Sequence, residues 1–501
     1  MIEHLLHGFI LVLTPNVLLA SLIGVCWGLI GGALPGITTS TTIALLLPVS
    51  FYMDSIPSIA MLMGAYEAGL YGGSIPAILI NTPGTASAAA TTLDGYPLAL
   101  QGKAGKALTM AIVASFFGGI IGFIVLVSFA RPMAKAAIAF GPTEYFVLIF
   151  IALCIISTVA GGSVVKGLFA VVFGLVFAFV GMDPVAGIPR FTFNNILLSD
   201  GFTPLPIWIG LFAFSEMMIQ LEKSAKELNS QSAIVFSLKD RVRLKEVKNC
   251  WKTIIRGSLI GVAIGALPGV GGNLAAFVSY GDAKGRSKDP DSFGKGNIEG
   301  VAATESANNA VNGGTMMPLL AFGIPGDLAT AMILAALIAH GIRPGPALFK
   351  QNIDLVYAIF ASMFVAVITL RIVAALCLGL VARLIRIRSS LLYPIVLILC
   401  ITGSFVIQGV VFDARVMIFF GVLGYVMNKL DFPRAPLGVA FMLGGAFELS
   451  LRQSLALSHG RISIFFVRPI CVVLLFLAAI IIVRMIKIQK KLRNIKEKQA
   501  A

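Results

Sequence analysis

The sequence predicts an all-α polytopic membrane protein, with about 12–14 membrane segments in two inverted-topology repeats whose helices are broken or re-entrant. Three observations carry this expectation: the composition, the placement of basic residues, and an internal duplication built around Pro-Gly pairs. Of 501 residues, 58% are hydrophobic and 12% charged. The mean hydropathy of +0.94 lies outside the range of water-soluble domains. Apolar stretches of roughly 20 residues recur along the chain, each long enough to cross about 30 Å of hydrocarbon as a helix. The N-terminal "MIEHLLHGFILVL" has no basic flank or small-residue cleavage site and reads as retained structure rather than a removed signal.

The formal charge of +15 would suggest nucleic acid in a soluble protein. Here the lysines and arginines fall between apolar segments and in the C-terminal "RMIKIQKKLRNIKEKQAA", the distribution of cytoplasmic loops and tails. Four regions follow: a first half over 1–221, a basic cytoplasmic linker over 222–252, a second half with additional C-terminal helices over 253–483, and a basic cytoplasmic tail over 484–501. The tail's charge also suits contact with anionic membrane lipid. The cysteines stand alone, without a CxxC or other ligand spacing. They imply neither a disulfide framework nor a metal site.

The duplication spans the linker. "GVCWGLIGGALPGI" (Gly24 to Ile37) aligns without gaps on "GSLIGVAIGALPGV" (Gly257 to Val270), matching at seven of fourteen positions. A second pair follows in the same order, "YGGSIPAILINTPG" (Tyr71 to Gly84) and "NGGTMMPLLAFGIPG" (Asn312 to Gly326). Each is preceded by a carboxylate, Glu67 and Glu305. The second ALPG segment is flanked by basic sequence on both sides and the first by sequence without Lys or Arg. The simplest geometry is two hairpins entering from opposite membrane faces, cytoplasmic for the second and periplasmic for the first.

In hydrocarbon every backbone polar group needs a partner, so such breaks are tolerated only against protein or a water-filled cavity. The breaks are expected at Pro35-Gly36, Pro83-Gly84, Pro268-Gly269 and Pro325-Gly326. Each frees N–H groups at one half-helix start, which suit a carboxylate, and C=O groups at another half-helix end, which suit a cation. Small polar residues beside them are the candidate substrate and ion lining: Thr38, Thr39, Ser40, Asn81, Thr82 and Thr85 in the first half, and Gly271, Gly272 and Asn273 in the second. Ser87 and Asp327 flank the same breaks. A bland alternative stands beside each assignment, since glycines and prolines pack or kink membrane helices and hydroxyls bond back to their own backbone.

Glu67 and Glu305 lie in apolar surroundings, where an ionised carboxylate costs roughly 2.5–3.5 kcal/mol on insertion scales. Both are candidates for a proton or cation site, with helix capping as the alternative. Asn308 and Asn309 beside Glu305 add oxygens of the kind a hard cation accepts. Asp94 reads as a loop or helix-end residue, and Asp289 and Asp291 as solvated loop charges. Enzyme readings fare badly, because the four histidines form no HExxH pair and no G-x-x-x-x-G-K-[ST] loop is present. No catalytic residue and no metal site are expected, and no cofactor beyond a co-transported Na+ or H+. A carrier is the first reading, and a passive anion channel or pore the alternative.

"GALPGITTSTTIALLLPVSFYM", "YGGSIPAILINTPGTASAAATTLDGYPLALQGKAGKAL", "GALPGVGGNLAAFVSYGDAKGRSKDP" and "GTMMPLLAFGIPGDLATAMILAALIAHGIRPGPALF" closely resemble the TctA family, the large membrane subunit of tripartite tricarboxylate transporters. The resemblance runs from about Leu18 into the 440s. It implies a multi-pass protein of the bacterial inner (cytoplasmic) membrane, a secondary active symporter of citrate-like carboxylates driven by a sodium or proton gradient. It also implies two partners, a small TctB-like membrane subunit and a periplasmic TctC-like solute-binding protein, and no nucleic acid. By analogy with other binding-protein-dependent carriers, it suggests an elevator-like movement of the broken-helix domain.

Overall fold

The computed structural model describes residues 2–34, 36–159, 163–226, 240–269, 271–345, 347–384 and 389–480. The first half contains α1 (Ile2–Val12), α2 (Pro15–Ala33), α3 (Thr39–Ser50), α4 (Ser55–Ile80), α5 (Thr92–Leu100), α6 (Ala104–Ile138), α7 (Pro142–Val159), α8 (Val164–Ala178), α9 (Pro204–Trp208) and α10 (Ser215–Lys226). A 3-10 helix, Ala86–Thr91, precedes α5, and a π-helical turn, Ile209–Phe214, joins α9 to α10. The second half contains α11 (Leu244–Gly265), α12 (Gly271–Arg286), α13 (Ile298–Phe322), α14 (Leu328–Ala339), α15 (Leu348–Gln351), α16 (Ile353–Leu384), α17 (Ser389–Gln408), α18 (Val411–Lys429), α19 (Arg434–Leu457) and α20 (Ile464–Val467). Helical structure therefore enters both ends of the 222–252 linker. Residues 227–239 and the 484–501 tail lie outside the described residues.

Among the described residues, five helices are long and apolar enough to cross a membrane and seven are shorter apolar helices. The fold is that of an all-α polytopic membrane protein. The central helices α4 and α13 have 26 and 25 residues and would span about 38 Å, yet neither is among the most apolar. Every residue from Ser58 to Leu79 and from Gly300 to Ala321 is buried. Both are surrounded by other helices rather than lipid, so small and polar residues replace the usual apolar surface.

The duplication is visible as packing. Gly24, Gly28 and Gly32 of α2 lie so close to α4 that an added Cβ would stand 1.9, 2.5 and 2.3 Å from the carbonyl oxygens of Met61, Ala65 and Gly69. Gly261 and Gly265 of α11 make the same approach to Ala307 and Val311 of α13, at 2.3 and 2.7 Å. Small residues let two backbones touch where no hydrophobic drive between helices exists. The common register is 242 residues, which pairs Pro76 with Pro318 and Asn81 with Gly323. The latter two are left-handed caps, at φ 53° and 68°.

Glu67 is the counterpart of Asn309, 242 residues on, so Glu67 and Glu305 are not equivalent. The Gly-Gly pairs suggest a register one residue shorter; the continuous helices and their caps decide against it.

α4 and α13 run antiparallel, since Tyr66 meets Thr315, Glu67 meets Asn309 and Ser74 meets Glu305. Equivalent helices in opposite directions make the repeats inverted. α2 and α3 form a hairpin whose tip stands at the level of Gly69, near the middle of α4, where Thr39 packs on Gly69. Its open end lies by the start of α4, where His340 Nε2 is 3.1 Å from the Ser50 carbonyl and 3.0 Å from Ser58 Oγ. α11 and α12 form the matching hairpin, with Ser279 Oγ donating to the Ala303 carbonyl at 2.7 Å. The two hairpins enter from opposite ends of the bundle and their tips meet at its centre. The halves also interlock, α6 packing on α13 and α16 on α4.

A loop between α8 and α9 pairs two short strands, Gly181–Met182 and Pro189–Arg190. It is held to α19 by Arg190–Glu448 at 2.7 Å and Arg452–Asp183 at 2.8 Å.

Candidate functional site

Where the hairpin tips meet, the chain encloses a cavity of about 310 Å³. Its lining is ordered by helix starts. Thr38 caps α3, its hydroxyl accepting from the Thr41 N–H at 3.2 Å, and Thr38, Thr39 and Ser40 face the cavity. Thr85 caps the 3-10 helix through the Ala88 N–H at 3.3 Å and enters with Ala86 and Ser87. Asp327 caps α14 through the Thr330 N–H at 2.8 Å and enters with Leu328 and Ala329. Gly271, Gly272 and Asn273 contribute the first turn of α12. Three groups are a cap with its first turn and the fourth is the first turn of α12, so four helix starts converge, the α14 start being capped by the Asp327 carboxylate.

Leu70, Ile156, Ala435 and Val439 supply apolar wall. No lysine or arginine is among the described residues lining the cavity. One carboxylate, Asp327, does line it, but its oxygens are engaged by the Tyr66 hydroxyl at 2.7 Å and by Thr330. The turns depend on two left-handed glycines, Gly36 at φ 88° and Gly269 at φ 76°, a conformation that a Cβ disfavours. Pro35 lies outside the described residues, while Pro268 precedes Gly269 in the second turn. The other two breaks rest on close approach: a Cβ on Gly84 would stand 2.1 Å from the Gly32 carbonyl oxygen, and one on Gly326 2.6 Å from Thr315 Cβ. A bond from the Gly269 N–H to the Gly326 carbonyl, at 2.7 Å, ties the two second-half breaks together.

Of the expected lining, Thr38, Thr39, Ser40, Thr85, Gly271, Gly272 and Asn273 are brought together. Asn81 and Thr82 are not. α4 continues past the cavity to Ile80, Asn81 is an exposed left-handed cap, and the Thr82 hydroxyl turns back to the Ile80 carbonyl at 3.2 Å. The chain regains the core only beyond Pro83, where the Gly84 N–H bonds the Gly73 carbonyl at 3.0 Å.

Glu305, Asn308 and Asn309 are not among the lining residues, although the Asn308 side-chain oxygen would stand 3.1 Å from a Cβ on the lining residue Gly272. Glu305 accepts from Ser74 Oγ at 2.6 Å, from Ser115 Oγ at 3.2 Å and from the Thr91 hydroxyl. Glu67, also fully buried, receives the Asn309 amide at 3.3 Å. Asp94 is a helix-end residue as expected, in the first turn of α5. It is buried, and one oxygen accepts from the N–H groups of Gly294, Gly296 and Asn297 at 2.8–2.9 Å while the other accepts from Tyr280. Asp289 and Asp291 are exposed as expected.

Sequence reasoning missed Tyr66, Leu70, Ile156, Ala435 and Val439 as lining, and placed Ser87 and Asp327 only beside the breaks. Asp327 was within reach of pattern alone: its D-x-x-T spacing is a capping signal, and in the 242 register it answers Thr85.

A model of the tripartite tricarboxylate transporter TctA family matches residues 18–439. The chain belongs to the TctA family. TctA is a transporter family, so membership supports a transporter role, points away from an enzyme and associates the chain with a tripartite system. Similar proteins include one from Agrobacterium vitis described as an uncharacterized 52.8 kDa protein in the TAR-I ttuC' 3' region. It is 37% identical over 503 residues, covering 98% of each chain. An uncharacterized protein in the TAR-II ttuC' 3' region of the same organism is 38% identical over 227 residues, covering 45% of this chain and 92% of its own. No solved structure matches the chain.

Proposed function

We propose that this TctA-family chain is the large permease subunit of a binding-protein-dependent secondary transporter. It imports tricarboxylates or related citrate-like carboxylates across the bacterial inner membrane, coupled to a cation gradient. A small TctB-like membrane subunit and a periplasmic TctC-like binding protein complete the system. The observation that supports this reading is the convergence of four helix N-termini on one central cavity without lysine or arginine in its described lining. Helix starts hold carboxylate oxygens through backbone N–H groups, each worth about 0.3–1 kcal/mol when exposed and up to ~2 when partly buried. Several together bring a polyanion into the millimolar-to-micromolar range that a carrier needs for release as well as capture. An immobile lysine in the same place would strengthen binding and slow release.

Tip-to-tip hairpins from opposite ends also suit alternating access, in which one repeat moves against the other around a central site. The test is counterflow. Proteoliposomes holding the chain with its small subunit, loaded with unlabelled citrate and supplied outside with the binding protein, should accumulate labelled citrate faster than empty ones. Flux that neither saturates nor responds to trans citrate would favour a channel and reject the carrier.

A further inference from the structure

We propose that Glu67, Asn309 and Asn312 form a binding site for a small monovalent metal cation, sodium, set between the repeats and separate from the carboxylate cavity. Its role as the coupling ion rests on the transporter reading above.

The argument begins with unpaired atoms. Glu67 Oε1, the Asn309 side-chain oxygen, and both polar atoms of Asn308 and Asn312 are buried without a hydrogen-bond partner among the described residues. All four side chains are 0% exposed. Native interiors rarely leave such groups unsatisfied, and a cluster of them on facing helices signals a ligand. Asn308, Asn309 and Asn312 share one face of α13 by their spacing. The Asn309 amide donates to Glu67 Oε2 at 3.3 Å, and Asn312 stands beside the same carboxylate. Opposite them, Gly119 of α6 brings only backbone, and a Cβ there would lie 3.5 Å from Glu67 Oε2.

The two carboxylates on this buried track are in different states. Glu305 has three hydroxyl donors from three separate elements and needs nothing more. Glu67 has one long bond and one free oxygen. A proton on Glu67 would satisfy a single acceptor and leave the asparagine carbonyls unpaired. A cation gathers several oxygens at once, and one carboxylate with neutral carbonyls matches a single positive charge. Among the described residues no lysine or arginine pairs with Glu67. Because Glu67 and Asn309 are counterparts in the 242 register, their contact lies on the local two-fold axis. Movement of one repeat against the other therefore changes the shell of an ion held there, which links occupancy to conformation.

The experiment uses the purified full-length chain in nanodiscs, with 22Na+ binding and apparent melting temperature measured as NaCl replaces choline chloride at constant ionic strength. Wild type should bind 22Na+ saturably and gain stability in parallel. Glu67→Gln and Asn312→Leu should weaken both by on the order of tenfold or more in half-saturating sodium. Without sodium, Asn312→Leu should melt no lower than wild type, since it removes an unpaired buried amide; a purely structural asparagine would give a lower melting temperature and an unchanged sodium response. Absence of a saturable sodium effect in wild type, stabilisation by acid alone, or an unaltered response in both variants would overturn the site. Citrate counterflow in proteoliposomes made from the same purified chain, with its small subunit and binding protein, separates the two readings. Counterflow without sodium binding rejects this site and leaves the carrier, whereas sodium binding without counterflow keeps the site and rejects the carrier.

Discussion

Replacing Gly269 with alanine should destabilise the tip of the second hairpin through two separable terms. The first is backbone strain, because Gly269 sits at φ 76°, where an L-residue with a Cβ pays about 1–2 kcal/mol. The second is overlap. The new Cβ would stand 2.0 Å from Ile156 Cγ1 and 3.1 Å from the Ile156 Cα, against an ordinary carbon contact of about 3.5–4.0 Å. Ile156 is 2% exposed and cannot swing away freely, so either it leaves its rotamer or α7 retreats, for about 1–3 kcal/mol. The total is about 2–5 kcal/mol.

Equilibrium unfolding in mixed micelles measures this, and Ile156→Ala dissects it. The double variant should be more stable than the two single losses predict, by about 1–3 kcal/mol, since the smaller side chain removes the overlap but not the strain. Gly281→Ala, on α12 with nothing within 4 Å of its Cβ position, serves as the control and should be neutral or stabilising by up to about 1 kcal/mol. Counterflow should fall with Gly269→Ala alone, because the tip is bonded to the Gly326 break. A Gly269→Ala protein as stable as wild type, or strictly additive losses in the double variant, would refute the reasoning.

Asp94→Ala should cost about 3 kcal/mol or more, since it strips the acceptor from three loop N–H groups and the Tyr280 hydroxyl; hydrogen exchange of Gly294, Gly296 and Asn297 would report the loosening. Arg343→Ala, at an exposed loop position, should leave citrate uptake nearly unchanged, and a large loss would show that a side-chain cation meets the substrate. The N–H groups of Ala186 and Val185, with Arg452, hold the Asp183 carboxyl well below the usual carboxylate range. A depressed folded-state pKa contributes stability above the unfolded value near ~3.9 that is lost as pH falls through the folded one. The melting difference between wild type and Asp183→Asn should therefore be constant at neutral pH and narrow only in strong acid.

The positions of the breaks were legible because proline and glycine announce a helix end in any context, and the repeat multiplied that signal. Thr38 to Ser40 and Gly271 to Asn273 followed directly, since residues after a break are the first turn of the next half-helix. Asn81 and Thr82 misled because sequence does not say how far α4 overshoots the cavity before the chain returns. The Gly-Gly pairs misled in a similar way, matching by type while the helices align one residue apart.

By itself the sequence determined a polytopic all-α chain, its duplication and the four places where helices stop, because these follow from apolar length, charge placement and backbone chemistry local to each segment. Only the tertiary structure decided which of the polar residues share a space. It put the four helix starts around one cavity, gave Glu305 its three hydroxyls and left Glu67 facing Asn309. These are contacts between residues far apart in the chain, and they depend on how antiparallel helices come into register through glycines packed backbone to backbone.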